Sequence, residues 1–183
     1  MNQELIDQYK ELHKKKPSYG SGANFAKEIQ NLINRHDLKS MVDFGCGKGN
    51  LKKLININSY CGYDPAIPEF SKHPRQADLV VANDVFEHFD PLLLMVELIG
   101  VAALASKAIF ANISCRKAVE VLPNGENCHT ALMPYWEWID ILNDLFSRER
   151  FSLTHMNFEI GNQNLVVVYL KNDFLKKQFD LTS

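Results

Sequence analysis

Glycines and an acidic side chain meet in one short stretch of this sequence, SMVDFGCGKGNLKKLI, at residues 40–55. Apolar residues lead up to Gly45, and Gly47 and Gly49 follow at every second position. Glycine adopts positive φ without steric cost and lets a ligand approach the main chain where a Cβ would block it. The stretch therefore predicts a strand, a tight turn built to contact a ligand, and the start of an amphipathic helix.

The glycine spacing separates two classes of ligand. A dinucleotide-binding turn has its third glycine three residues after the second, but here that position is Asn50 and the glycine comes one residue early. An acid, Asp43, also precedes the first glycine by two residues. The stretch thus resembles the D-x-G-x-G-x-G motif of class I S-adenosylmethionine-dependent methyltransferases. In that family the acid faces the methionine part of the cofactor, which implies a cofactor-binding turn made of Asp43, Gly45, Cys46, Gly47 and Gly49.

A second acid, Asp64, ends a short predicted strand over residues 59–63 and lies 19 residues after Gly45. A carboxylate at the end of the second strand can accept hydrogen bonds from both ribose hydroxyls, because it offers several lone pairs and a charge. Its other interpretation is a turn cap before Pro65. The spacing favours ribose binding.

The next segment departs from the family pattern. Only 13 residues, PAIPEFSKHPRQA, separate Asp64 from the strand predicted at 78–83, and three of them are prolines. A helix, a strand and a further helix cannot fit there. We therefore expect an α/β Rossmann-like doubly wound sheet whose third strand is missing or vestigial, with strand order 2-1-4-5-7-6 in family numbering. The last two strands, at 151–158 and 165–170, should form an antiparallel hairpin. How adenine is recognised stays open.

The segment DLVVANDVFEHF, residues 78–89, predicts a buried strand followed by a polar turn. It resembles the D-V-x-E-H motif after the fourth strand of many class I methyltransferases, where the loop meets cofactor and substrate. Asn83 and Asp84 are thereby predicted to bind the cofactor. His129 lies in a long polar loop, 115–133, at the same edge of the sheet, so the predicted catalytic groups are Glu87, His88 and His129.

A divalent metal is the alternative for these groups. Plant-type small-RNA 2'-O-methyltransferases and ubiquinone-biosynthesis O-methyltransferases, which have an E-x-x-E-H motif and a distant histidine, bind one through such side chains. Here the first acid is the shorter Asp84, and D-x-x-E-H also occurs in metal-free relatives. The sequence therefore favours a metal-free site.

The whole chain, 1–183, is predicted to be a single methyltransferase domain. Two amphipathic helices in residues 1–36 should cover the cofactor site, with Tyr19 and Gly20 between them lining it or forming a plain turn. The core should span 37–170, and 171–183 should be a tail. The helix predicted at 92–105 is apolar on nearly all faces, which leaves monomer and homodimer open.

The composition indicates which partners and which cellular compartment to expect. A net charge of -2 and a pI near 6.3 give no overall basic field for nucleic acid. Four cysteines without a C-x-x-C pair favour reduced thiols in a cytoplasmic protein. We expect no signal peptide, because the first 16 residues are charged throughout, and no membrane span.

The resemblance implies methyl transfer from S-adenosylmethionine, with S-adenosylhomocysteine as product, to oxygen or nitrogen of a small molecule. RNA ribose 2'-O-methylation is the second interpretation. A cofactor-binding protein without transferase activity is the third, because the third strand is lost. The sequence does not identify the acceptor.

Overall fold

Six strands form one sheet within the part of the chain that the computed structural model describes, residues 2–16, 19 and 24–180. In chain order the strands are β1 Ser40–Phe44, β2 Ser59–Tyr63, β3 Ala77–Asn83, β4 Ala105–Ser114, β5 Phe151–Glu159 and β6 Asn164–Lys171. Across the sheet they lie in the order β2-β1-β3-β4-β6-β5. β1 to β4 pair in parallel, whereas β6 runs antiparallel to both β4 and β5. The predicted Rossmann-like sheet with an antiparallel C-terminal hairpin is confirmed.

The missing third strand of the family is also confirmed. Between β2 and β3 the only regular element is a single 3₁₀ turn, Pro68–Phe70. The backbone N–H of Asp64 donates to the carbonyl of Phe70 at 3.0 Å, so the segment folds back on the end of β2. Three prolines in this short segment remove backbone donors and fix φ, which suits an irregular connection rather than a strand.

The helix expected after the glycine turn is shortened to a 3₁₀ turn, Asn50–Lys53. The prediction that an amphipathic helix starts there was wrong. β2 already begins at Ser59, so the connection leaves too few residues for a complete crossover helix.

The described residues include five α-helices: α1 Gln3–Lys15, α2 Ala26–His36, α3 Leu94–Leu104, α4 Tyr135–Arg148 and α5 Asn172–Asp180. The fifth occupies the segment expected to be a tail, and Phe174 and Leu175 pack on the core beside α2. The first is preceded by its N-cap residue Asn2, whose side chain accepts a hydrogen bond from the N–H of Leu5.

Apolar side chains cover both faces of the sheet. On one face α3 and α4 pack against β3, β4 and β6 around Trp138 and Phe86. On the other face α2 packs through Ile29 and Ile33. A third, smaller group holds α1 through Leu5, Tyr9 and Leu12 against Leu122, Cys128 and Ala66. The N-terminal helix therefore rests on loops at the carboxyl ends of the strands rather than on the sheet itself.

One face of α3 stays outside the core. Leu98 is fully buried, whereas Met95, Val96 and Ile99 are exposed, as is Leu92 just before the helix. Whether a second copy covers this face stays a prediction. No helix among the described residues is long and apolar enough to cross a membrane.

We expect Leu98→Ala to lower the free energy of unfolding by ~2–5 kcal/mol, because it opens a cavity beneath α3. Leu92→Ala, the matched control at a side chain that is 92% exposed, should change it by less than ~0.5 kcal/mol. Urea unfolding followed by circular dichroism measures both. Equal losses would mean that α3 is packed differently.

Candidate active site

A cleft of about 350 Å³ opens at the carboxyl ends of the parallel strands. This edge is where open α/β sheets bind ligands. The described residues on its wall include eight of the predicted site residues: Tyr19, Gly45, Gly47, Asp64, Asn83, Asp84, His88 and His129. The structure thus brings the predicted glycine turn and the predicted histidine of the distant loop into one cleft.

Four other predicted residues are not among those lining the cleft. Cys46 and Asp43 are buried beside the turn, and Gly49 lies against the ring of Phe70. Glu87 is fully buried. Gly20 lies outside the described residues.

The glycine turn follows β1 directly and requires its glycines. Gly45, Gly47 and Gly49 have φ of 71°, 52° and 67°. A Cβ on Gly45 would stand 2.6 Å from Cγ2 of Val85, so the turn also packs against the loop that follows β3. A side chain at Gly45 would disturb both loops at once.

Asp64 ties this turn to the end of β2. One carboxylate oxygen accepts from the N–H of Gly47 at 3.0 Å, and the other accepts from the N–H of Ala66 at 2.9 Å. A carboxylate has about four acceptor positions, so each oxygen keeps capacity for a further donor. Asp64 can therefore hold the turn and still bind a ligand hydroxyl from the cleft.

Asp43 lies in β1, just before the glycine turn, and its role toward the cofactor stays a prediction. Its carboxylate accepts a hydrogen bond from the hydroxyl of Tyr60, and only 3% of the residue is exposed. Strand alternation explains this, because Val42 and Phe44 face one side of the sheet and Asp43 must face the other. Burial raises the pKa of Asp43 from its usual 3.8 to about 7, despite the tyrosine hydrogen bond.

Asp84 lies where β3 ends and has a positive φ of 56°. The side-chain amide of Asn112 donates to its carboxylate at 2.6 Å, and its own N–H donates to the carbonyl of Asn112 at 2.9 Å. Burial raises the pKa of Asp84 to about 6, opposed by this hydrogen bond and by the charge of Arg116. Asn112, at the end of β4, was missed by the sequence analysis, although its position at a strand end was the available signal.

Glu87, His88 and His129 form one cluster. A potential ligand atom from each lies within 4.8 Å of the others. One carboxylate oxygen of Glu87 accepts from the N–H of Ser114 at 2.8 Å, while the other accepts no hydrogen bond within the described part of the chain. Burial raises the pKa of Glu87 well above its usual range. A buried, half-satisfied carboxylate is costly unless it is protonated or paired.

Both histidines in the cluster have one ring nitrogen engaged. Nδ1 of His88 lies 2.9 Å from the carbonyl oxygen of Cys128, and Nδ1 of His129 contacts the carbonyl oxygen of Arg116. A carbonyl only accepts, so in each ring Nδ1 carries the proton and Nε2 keeps its lone pair. Burial lowers the pKa of His88 to about 4 and also lowers that of His129, so both rings are neutral near pH 7. Neutral imidazoles can accept a proton or bind a metal ion.

Helix α1 supplies part of the wall. Tyr9 and His13 line the cleft, and the hydroxyl of Tyr9 lies 2.9 Å from Nδ1 of His88. That the N-terminal helices cover the site was expected from the sequence, but no role at the site was predicted for Tyr9 or His13. A tyrosine at helical spacing can be a packing residue or a hydrogen-bonding residue of a site, and the sequence does not distinguish the two before the partner is known.

Comparison with known protein families identifies a domain family for this chain. A family model described as a methyltransferase domain matches residues 5–124, well over half of the chain and including every element around the glycine turn and Asp64. The chain belongs to this methyltransferase family. With the strand order of the sheet, this confirms the class I assignment made from the D-x-G-x-G-x-G resemblance. No curated protein matches the sequence.

Solved structures share the methyltransferase fold at low identity. The plantazolicin methyltransferase, in complex with a substrate analogue and S-adenosylhomocysteine, is 11% identical with a TM-score of 0.60, over 92% of this chain and 90% of that one. The 1,6-didemethyltoxoflavin-N1-methyltransferase of Burkholderia thailandensis is 13% identical with a TM-score of 0.59, over 93% and 86%. A structure from Nostoc punctiforme PCC 73102 is 17% identical with a TM-score of 0.55, but the 81% of this chain that aligns covers only 56% of that protein.

Asp43 generates a pH prediction for the ligand-free methyltransferase. Its pKa is higher in the folded state than in the unfolded chain, so the folded state holds the proton more tightly and loses stability as pH rises from about 4 to about 7. Asp43→Asn keeps the shape and removes the titration. Urea unfolding across this range should show wild-type stability falling relative to the variant. Parallel profiles would mean that Asp43 is not buried as described.

Proposed function

We propose that this methyltransferase binds S-adenosylmethionine in the cleft and transfers its methyl group to oxygen or nitrogen of a small-molecule acceptor. The observation that carries the proposal is the meeting, in one cleft, of the glycine turn and Asp64 with His88 and His129. The half of the cleft at the glycine turn and Asp64 has groups that can bind the cofactor. The half at His88 and His129 has groups that can take a proton from the acceptor. The toxoflavin enzyme acts on a small molecule, which supports this class of acceptor.

The cofactor half suits a nucleoside. The free acceptor capacity of Asp64 fits ribose hydroxyls, and the absence of side chains at Gly45 and Gly47 leaves room for the ligand beside the main chain. Pro65 and Ala66 give an apolar wall next to Asp64 where a purine ring could lie without the family's third strand. Asp43 is buried beside the glycine turn, so in this proposal it supports β1 through its hydrogen bond with Tyr60 and does not contact the cofactor directly.

The reacting half suits proton removal from an acceptor. Methyl transfer is an in-line displacement, so the main requirement is to hold the acceptor atom and the methyl group at short distance. A base is needed when the acceptor carries a proton that it does not lose readily. His129 is neutral near pH 7, lines the cleft and is held by the Arg116 carbonyl, which are the properties of such a base.

The same cluster also fits a divalent cation better than the sequence indicated. Glu87, His88 and His129 offer one oxygen and two imidazole nitrogens, a set that Zn²⁺, Mn²⁺ and Fe²⁺ accept. Each histidine donates its other ring N–H to a backbone carbonyl, as metal-binding histidines usually do. The unpartnered oxygen of Glu87 would gain a counter-charge. When bound, such a cation would favour the deprotonated form of an acceptor hydroxyl.

RNA ribose methylation is the second candidate function. Arg116 and Lys117 are exposed on the wall of the cleft beside His129, and neither takes part in a salt bridge within the described residues. Such side chains could contact phosphates next to a ribose. Product formation measured with short RNA, and separately with small phenols or amines, distinguishes the two classes of acceptor. A protein that binds S-adenosylmethionine but forms no product with either is the non-catalytic alternative.

We expect S-adenosylhomocysteine at about 100 times its Kd to raise the Tm by ~5–11 °C, because it binds only the folded state, while NAD has no effect. Asp64→Ala should weaken the shift through loss of ribose contacts. Asp140→Ala, which removes an exposed carboxylate on α4, is the matched control and should keep it. Differential scanning fluorimetry measures all three. A shift with NAD alone, or with both ligands equally, contradicts the proposal.

Once an acceptor is identified, His129→Ala should lower kcat by ~10²-fold or more, because it removes the proposed base. It should leave S-adenosylhomocysteine affinity nearly unchanged. Dialysis against EDTA, followed by added Mn²⁺ or Mg²⁺, then separates base from cation. Loss and recovery of turnover favours the cation, whereas insensitivity to EDTA favours His129 as base. Full turnover by His129→Ala would exclude both roles.

A further inference from the structure

Tyr9 makes the most specific contact between helix α1 and the reactive cluster. It is 6% exposed and lies 79 positions before His88 in the sequence. Its hydroxyl donates to the carbonyl oxygen of Cys128 at 2.6 Å and lies 2.9 Å from Nδ1 of His88. Its ring meets the His88 ring edge-on, with centroids 5.5 Å apart. Two elements far apart in the chain therefore converge on one imidazole.

The Tyr9 hydroxyl oxygen, the Cys128 carbonyl oxygen and Nδ1 of His88 lie so close together that they restrict where protons can lie. The Cys128 carbonyl lies within hydrogen-bond distance of both the Tyr9 hydroxyl and Nδ1 of His88. Two lone pairs facing each other at 2.9 Å would repel, so Nδ1 of His88 must be protonated. With the tyrosine proton directed at the carbonyl, both donors share one acceptor. Nε2 of His88 is then the nitrogen with a free lone pair.

The Cys128 carbonyl is held in a packed loop. Cys128 is fully buried in the same cluster as Leu5 and Leu12 of α1, and its N–H donates to the carbonyl of Glu120 at 3.3 Å. While the Tyr9 proton is directed at this carbonyl, the phenol oxygen keeps lone pairs that face Nδ1–H of His88 at 2.9 Å. Nδ1–H therefore has two acceptors, the carbonyl and the tyrosine oxygen.

We propose that Tyr9 is a positioning residue that holds His88 in the Nδ1–H tautomer as a second acceptor beside the Cys128 carbonyl, and so presents Nε2 to the cluster. This inference rests on the proposed function of Glu87, His88 and His129. Without the tyrosine hydroxyl, Nδ1–H loses one of its two acceptors, and the imidazole can populate both tautomers. Positioning partners of this kind typically change metal affinity by ~10–100-fold.

The test compares Tyr9→Phe with wild type and with Tyr169→Phe. Tyr169 is also buried and loses one hydrogen bond, to Asn143, but it lies in the core away from the cluster. Long-range ¹H–¹⁵N spectra at pH 7.5 report the tautomer of each histidine, with His88 identified by comparison with His88→Gln. Titration with Mn²⁺, followed by electron paramagnetic resonance, gives the cation affinity. Circular dichroism checks the fold of each variant.

We expect the Nδ1–H tautomer of His88 in wild type and in Tyr169→Phe, and a mixture of tautomers with a Kd for Mn²⁺ raised ~10-fold or more in Tyr9→Phe. An unchanged tautomer in Tyr9→Phe, or the Nε2–H tautomer in wild type, overturns the inference whatever the Mn²⁺ affinity. If wild type binds no Mn²⁺, the cation proposal fails and the tautomer alone decides the role of Tyr9. Titration with S-adenosylhomocysteine separately reports failure of the cofactor proposal.

Discussion

The burial of Glu87 is the constraint on which the rest of the site depends. Its side chain accepts from Ser114 at the end of β4, and its backbone carbonyl accepts from Ala131 in the long loop. One residue thus joins the loop after β3 to two other segments. A carboxylate in that position is expensive to ionise, and its second oxygen lacks a donor within the described residues. A proton held by Glu87 itself, or a cation held by Glu87 together with His88 and His129, would offset this cost.

Around this centre, each loop is held by a contact from a neighbouring strand. Asp64 fixes the glycine turn from the end of β2, and Asn112 fixes Asp84 from the end of β4. Helix α1 then covers the edge and reaches the histidines through Tyr9. These hydrogen bonds hold the loops separately, and the packing of Gly45 against Val85 joins the glycine turn to the loop after β3. Apart from Asp64 itself, which directly follows β2, none of these contacts involves the segment between β2 and β3 where the family's third strand is missing.

The sequence predicted the features that depend on local chemistry. Glycines with an acid before them indicated the turn, and the proline-rich connection after Asp64 indicated the missing strand. It could not predict features that depend on orientation or on distant contacts. The hydrogen bond between Asp43 and Tyr60 of β2 is one such feature, because the sequence does not show which side of β1 the carboxylate faces. Tyr9 resembled an ordinary packing residue, because its partner Cys128 lies 119 positions away. The topology rule for parallel sheets did predict that His129 and His88 would share one edge.

A crystal structure of the protein with S-adenosylhomocysteine tests whether one cleft holds both the cofactor and the reacting groups. We expect the ribose hydroxyls at the carboxylate of Asp64 and the homocysteine sulfur directed toward His88 and His129. The main chain of Gly45 and Gly47 should lie against the ligand. A ligand bound outside this cleft, or bound within it with the sulfur turned away from the two histidines, would mean that the cleft does not combine the two roles.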